Sequence, residues 1–262
     1  MSRERVRDLD ALRRFALELA DVADAITRER FGGRISAQRK PDGTPVTEVD
    51  RAVEAALRER IAAAHPDHAI LGEEQGGVLD PAVPTWVIDP IDATKNFMRG
   101  VPVFATLIAL CLGGHAIVGV ASAPALGERW DAARGAGARR NGRLVRVSDV
   151  AELAEAHVLH GGLDWFRREP GMWDVLGHVV DRAGRTRGFG DFWMHLLVAG
   201  GHAEAAFERD LSVWDVAALE CLVTEAGGRC TTWDGGSALS GGDVLTSNGL
   251  VHDELSALLT RR

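Results

Sequence analysis

The sequence predicts an α/β protein. A long amphipathic helical pattern opens the chain, and in the second half short apolar runs alternate with helical ones. Between these regions lie three apolar stretches joined by tight turns, the mark of a strand meander.

Each element has its own reason. Residues 6–31 read as a helix, because Val6, Leu9, Leu12, Phe15, Leu19, Val22 and Ile26 recur at helical spacing. "FGGRISAQRKPDGTPV" follows, rich in Gly, Pro and polar residues, and reads as a loop or loose hairpin. Thr47 opens a second helix over 47–64, with Glu48 and Asp50 in its first turn. "HAILGEE" and "TWVIDP" are short strands that end in acids. "FATLIALCLGGHAIVGVASAPALGERWDAA" reads as three strands, with Gly113-Gly114 as the first turn. Strands near 156–160, 186–189 and 203–208 then alternate with helices near 171–183, 191–201 and 213–227. A last helix covers 250–260. A boundary near "RRNGRLVRVSDV" divides the chain into lobes 1–145 and 146–262.

Bulk properties narrow the function. The 262 residues suffice for a large core, and 46% hydrophobic with 26% charged residues is ordinary for a soluble globular protein. Net charge is −8 without a basic run, which argues against nucleic acid as a partner. No apolar stretch is long enough to span a bilayer. Cys111, Cys221 and Cys230 form no CxxC pair, so neither a disulfide framework nor a cysteine zinc site is expected. The charged N-terminus is unlike a secretory signal. Together these imply a cytoplasmic protein.

Acids stand at the ends of apolar segments: Asp50, Glu73-Glu74, Asp89 and Asp92, and Asp215. Each has an ordinary reading. Asp50 favours a helix N-terminus, Glu73 and Glu74 suit a solvated loop, Asp89-Pro90 opens a turn, and Asp215 is a first-turn acid capped by Ser212. Together they suggest more. Strand-end carboxylates of an α/β protein converge on one edge. Clustered carboxylates raise one another's pKa unless a hard cation neutralises them. Oxygen ligands without nearby Cys or His point to Mg²⁺, Mn²⁺ or Ca²⁺. After Asp92, "ATKNF" reads as a first helical turn, whose free Ala93 and Thr94 amides suit a phosphate. The Thr94 hydroxyl is placed to orient an attacking water.

"ILGEE", "WVIDPIDATKNF" and "SVWDVAALECLVTEAGG", in that order, resemble the motifs of the inositol monophosphatase superfamily. The resemblance runs from about residue 40 to 230. It implies a layered αβαβα fold, Mg²⁺-dependent hydrolysis of a phosphate monoester with two or three ions per site, and a homodimer. Glu73, Asp89 and the Ile91 carbonyl would hold a first metal, and Asp89, Asp92 and Asp215 a second. Asp50 would support a third and act with Thr94 on water. Glu73, Thr94 and Asp50 would thus be catalytic, with phosphate on the amides of Ala93 and Thr94. Glu74 matches a residue that is not usually a ligand, and Lys40 lies in a loop that the family uses as a flap. Ala93 replaces a family glycine. A left-handed backbone there would cost about 1 kcal/mol or more, whereas an ordinary helical position would leave alanine harmless.

"DPIDATKNFMRGVPVFATLIAL", "KPDGTPVTEVDR" and "GFGDFWMHLLVAGGHAEAAFERDLSVWDVAAL" most resemble the histidinol-phosphatase branch. A substrate with an amino group and an imidazole wants acidic partners. Asp191 and Glu208 occupy substrate-facing positions in that resemblance, and Asp191 also reads as the N-cap of a helix over 192–201. Lys95 and Arg99 are either phosphate partners or solvated helix residues. The alternatives are a phosphatase of the same fold acting on inositol phosphate, fructose bisphosphate or a 3′-phosphonucleotide, and a non-catalytic binding member. "RGAGARRNG" lacks a dinucleotide frame, no G-x-S-x-G elbow exists, and the histidines of "HVLH" and "HPDH" read as structural.

Overall fold

A computed structural model describes residues 8–33, 35–40 and 43–261. Helix α1 (Leu9–Arg30) is capped by Asp8, whose side chain accepts the Ala11 amide. The expected start near Val6 lies outside the described residues. The loop that follows forms a hairpin, β1 (Ala37–Arg39) with β2 (Pro45–Thr47). Helix α2 (Glu48–Ala64) starts from a Thr47–Asp50 capping box.

The first sheet comes next. It contains β3 (Ala69–Gly72), β4 (Thr85–Asp92), β5 (Ala105–Leu112), β6 (His115–Ala123), β7 (Glu128–Ala133), β8 (Ala138–Arg140) and β9 (Arg143–Leu144), in that spatial order. Only β3 and β4 pair parallel; the rest form an antiparallel meander. The short helix α3 (Thr94–Met98) interrupts it after β4.

The second half alternates as expected: β10 (His157–His160), α4 (Asp164–Arg168), α5 (Met172–Arg182), β11 (Arg185–Gly188), α6 (Asp191–Ala199), β12 (Ala205–Leu211), α7 (Val213–Glu225), β13 (Arg229–Thr231), β14 (Gly242–Ser247) and α8 (His252–Leu259). The strands form a second sheet in the order β11-β10-β12-β14-β13. The short α4, β8, β9, β13 and β14 were not anticipated from the sequence.

The core shows how the layers stack. On one face of the first sheet, Leu19 of α1 and Leu57 of α2 meet Trp86, Ile88 and Ile108. On its other face, Val87, Leu107 and Ala109 meet Leu196 of α6 and Leu222 of α7. The same two helices cover the second sheet, where Met194 and Val198 pack on Leu159 and Ala206, and Val216 packs on Val244. Beyond it, Phe166, Val175 and Leu255 pack on Val158 and Phe207. The order is helix, sheet, helix, sheet, helix: the αβαβα sandwich.

Candidate metal and phosphate site

Strand β4 supplies two acids. Its pleat sends Trp86 and Ile88 toward α1 and α2, and Val87 toward α6 and α7, so Asp89 follows Val87. The β4–β5 register shifts between Asp89 and Asp92, at a proline that has no N–H to give the ladder. Thr106 Oγ1 donates to the Pro90 carbonyl at 2.8 Å and holds the bulge. Asp92 is thereby turned to the same end as Asp89. Asp215 arrives from α7. One carboxylate oxygen from each of the three lies within 4.8 Å of the other two.

Helix starts fix these acids. The Ser212 N–H donates to Asp215 Oδ2 at 2.6 Å, and the Thr47 N–H donates to Asp50 Oδ2 at 2.7 Å. The Phe192 N–H, at the start of α6, donates to Asp92 Oδ2 at 2.9 Å. Three helix N-termini are thus joined to the acids, and their partial positive charge offsets some of the repulsion. Asp50 itself is fully buried and does not line the cavity. It reaches the site through Thr94 Oγ1, which lies 3.4 Å from Asp50 Oδ1 and donates to the Ile91 carbonyl at 3.0 Å.

Glu73 stands beside Asp89 but faces a different cation. Lys40 Nζ lies 2.7 Å from Glu73 Oε1 and 2.6 Å from Glu74 Oε1. Burial disfavours the Lys40 charge, yet the two glutamates hold its pKa above the usual lysine range. Lys40 thus closes the β1–β2 hairpin over this side of the site.

The cavity has a volume of about 390 Å³. Its wall includes Glu73, Asp89, Ile91, Asp92, Ala93, Thr94, Asp191, Glu208 and Asp215. Lys95 lines it as well, whereas Arg99 lines a neighbouring depression. Burial pushes the Asp215 carboxyl up to about 7 and Glu208 up to about 8, and Asp191 adds to the Glu208 shift. Burial, then Glu73, raises Asp89 far above the carboxylate range; burial, then Asp191, does the same for Asp92. Asp89 Oδ1 is buried and has no hydrogen-bond partner among the described residues. These are the marks of a donor set that fits a hard divalent cation: all oxygen, crowded, and short of positive charge.

Backbone strain gathers here. Among the described residues four non-glycines have positive φ, and three of them, Ala93 (65°), Asp191 (51°) and Asp210 (62°), line this cavity. The question left open at Ala93 is resolved, since its φ and ψ of 65° and 45° are left-handed and α3 begins only at Thr94. The N-cap reading of Asp191 is overturned. Its side chain makes no capping bond to α6, whose Phe192 amide is taken by Asp92, and Asn96 Nδ2 is its partner instead at 3.5 Å.

Sequence reasoning missed several wall residues. Asp164, Trp165 and Arg168 come from α4, too short for a periodic signal. His195 follows Asp191 by one helical turn, and that spacing was available as a signal. Its Nδ1 pairs with Thr246 Oγ1 at 2.8 Å, and burial pushes its pKa down to about 3, so it stands neutral. His68 accepts from Trp86 Nε1 at 3.0 Å, in keeping with a structural role.

Comparison with known proteins accords with this geometry. The inositol monophosphatase family model matches residues 8–261. The chain belongs to the inositol monophosphatase family. Within the family it is 48% identical to the histidinol-phosphatase of Mycobacterium tuberculosis, across 92% of this chain and 94% of that one. It is 43% identical to the histidinol-phosphatase of Streptomyces coelicolor, across 97% and 98%. Among solved structures of the family, the Thermotoga maritima IMPase superposes with a TM-score of 0.85 at 30% identity, over 95% of this chain and 96% of that one. No helix among the described residues is long and apolar enough to cross a membrane.

Proposed function

We propose that this chain hydrolyses L-histidinol phosphate to L-histidinol and phosphate with the help of Mg²⁺. The convergence of Asp89, Asp92 and Asp215 carries the reading, because three buried or half-buried carboxylates so close together call for a cation. Glu73, Asp89 and the Ile91 carbonyl would hold one ion; Asp89, Asp92 and Asp215 a second; and Asp50 would support a third. Bound Mg²⁺ would supply Lewis-acid neutralisation of the phosphate charge.

The chain's own residues do the rest. The first amides of α3 have no intrahelical acceptor, so the Ala93 and Thr94 N–H groups would take phosphate oxygens. The Thr94 hydroxyl lies within reach of Asp50 and Ile91, which leaves its lone pairs to accept from a water and orient it. For this the Thr94 hydroxyl would turn its one proton from the Ile91 carbonyl to Asp50 Oδ1 and pass it there as it takes a proton from the water. Asp191 and Glu208 lie in the same wall, and a substrate carrying an ammonium and an imidazole would give both a partner. Two relatives named histidinol-phosphatase, covered almost end to end, support that substrate over a neutral polyol phosphate.

The same reading puts the protein in histidine biosynthesis, as a cytoplasmic homodimer. It also keeps the lobes 1–145 and 146–262, supported by the first sheet ending at Leu144 and the second starting at His157. The test is Mg²⁺-dependent phosphate release from L-histidinol phosphate, inositol 1-phosphate, fructose 1,6-bisphosphate and 3′-phosphoadenosine 5′-phosphate. Preference for the first, lost in Asp92→Asn, is expected. Preference for another ester would keep the metal chemistry and overturn the substrate.

A further inference from the structure

The turn that presents Glu73 is held from behind by a residue outside the cavity. Glu54 lies one helical turn after Asp50 on α2 and has no exposed surface. Its Oε2 accepts the Glu74 N–H at 2.7 Å, and its Oε1 accepts the Gln75 N–H at 3.0 Å. Arg58, a further turn along the helix, donates its Nε to Glu54 Oε1 at 2.8 Å and its Nη2 to the Gly76 carbonyl. The Glu73 N–H donates the other way, to the Ile88 carbonyl of β4 at 3.2 Å. Gly72 and Gly76 close the turn with reciprocal backbone bonds of 3.1 and 3.0 Å. The fit leaves no slack, since a Cβ on Gly72 would stand 2.2 Å from Glu54 Oε1.

A buried carboxylate is tolerated where a guanidinium and amides satisfy it, and here all three N–H donors come from the turn or from Arg58. The arrangement ties residues 74–76, directly after Glu73, to α2. We infer that Glu54 is a positioning residue for the divalent cation: by clamping the amides of Glu74 and Gln75 it sets the direction from which the Glu73 carboxylate enters the site. The inference rests on the metal-dependent reading above. One face of α2 then serves the site twice, with Asp50 acting through Thr94 and Glu54 acting through Glu73.

The test is calorimetric titration of the full chain with Mg²⁺ alone, for wild type, Glu54→Gln and Arg58→Gln. Glutamine has one acceptor oxygen where glutamate has two, so its amide N–H₂ must face at least one N–H donor of the turn. Removing such an outer support typically weakens metal binding about 10–100-fold. That loss is expected for Glu54→Gln, with turnover restored when Mg²⁺ is raised and the KM for ester at saturating Mg²⁺ unchanged. Mg²⁺ affinity within about twofold of wild type in a folded variant would overturn the role and leave Glu54 a core group. Should Glu54→Gln fail to fold, Arg58→Gln decides, because its side chain reaches the surface: weaker binding supports the clamp and unchanged binding overturns it. The titration uses no ester, so an error about the substrate leaves its result standing. A wild type that binds no Mg²⁺ overturns the metal reading and this role with it.

Discussion

Ala93 stands where the resemblance to the family expects glycine, and its backbone is left-handed. A side chain in that region costs about 1–2 kcal/mol, while glycine costs about 0.4–1 kcal/mol more unfolded-chain entropy. Ala93→Gly is therefore expected to stabilise the protein by about 0.5–1 kcal/mol, read from a urea midpoint at unchanged slope. A loss of stability would mean that the methyl, which packs beside the α1–α2 side of the core, outweighs the strain. Asp92 poses the opposite trade. Asparagine keeps an oxygen for the Phe192 amide and removes a charge that burial opposes. Asp92→Asn is expected to melt higher than wild type in EDTA while losing phosphatase turnover. A lower melting point would show that the carboxylate's capping bond outweighs its desolvation. For Asp50 and Asp215 the ordinary and the functional readings are compatible. Each accepts a bond at a helix start, while Asp50 Oδ1 lies near Thr94 and Asp215 keeps a carboxylate oxygen in the acidic cluster.

Elements with their own periodicity were legible in the sequence, and those without were not. Leu12, Leu19 and Ala23 put α1 on one face, and the apolar runs of β4, β5 and β6 declare buried strands. Strands β8, β9 and β13 have three residues or fewer, and their pairing comes from neighbours rather than from any pattern of their own. The site divides the same way. Acids at strand ends were readable, whereas Glu54 looked like any polar residue of a helix, because its meaning depends on a turn folded over it. Helix α7 is where packing and site meet. It lies against β6 so closely that a Cβ on Gly119 would stand 2.6 Å from the Ala218 carbonyl and 2.9 Å from Cys221 Cβ. Gly119→Ala is expected to cost about 1–3 kcal/mol by overpacking. Because α7 carries Asp215, the same variant should bind Mg²⁺ more weakly. Unaltered affinity in a destabilised variant would show that α7 shifts without moving its first turn.

The whole molecule carries the site's charge as a dependence on pH and metal. Asp215 at about 7 and Glu208 at about 8 lie above their ordinary values of 3.8 and 4.5. A group raised on folding contributes stability that is fully present below its unfolded pKa and lost as pH climbs through its folded one. In the metal-free protein these acids therefore favour the fold near pH 4 and oppose it by pH 8. Two buried histidines pull the other way. Burial holds His195 near 3 and His252 near 4, so their contribution falls as pH drops below about 6.5. Absolute stability mixes the two trends, but the gain on adding Mg²⁺ isolates the acids, since the ion binds their charged form and protons compete with it. At 100 times its dissociation constant, Mg²⁺ should add about 2.7 kcal/mol at pH 8. At the same concentration near pH 5.5 the gain should be much smaller. Melting curves with Mg²⁺ and with EDTA at the two pH values measure the difference. An equal gain at both would mean that the ion is held by groups already charged at pH 5.5, which would exclude the Asp89, Asp92 and Asp215 cluster as its seat.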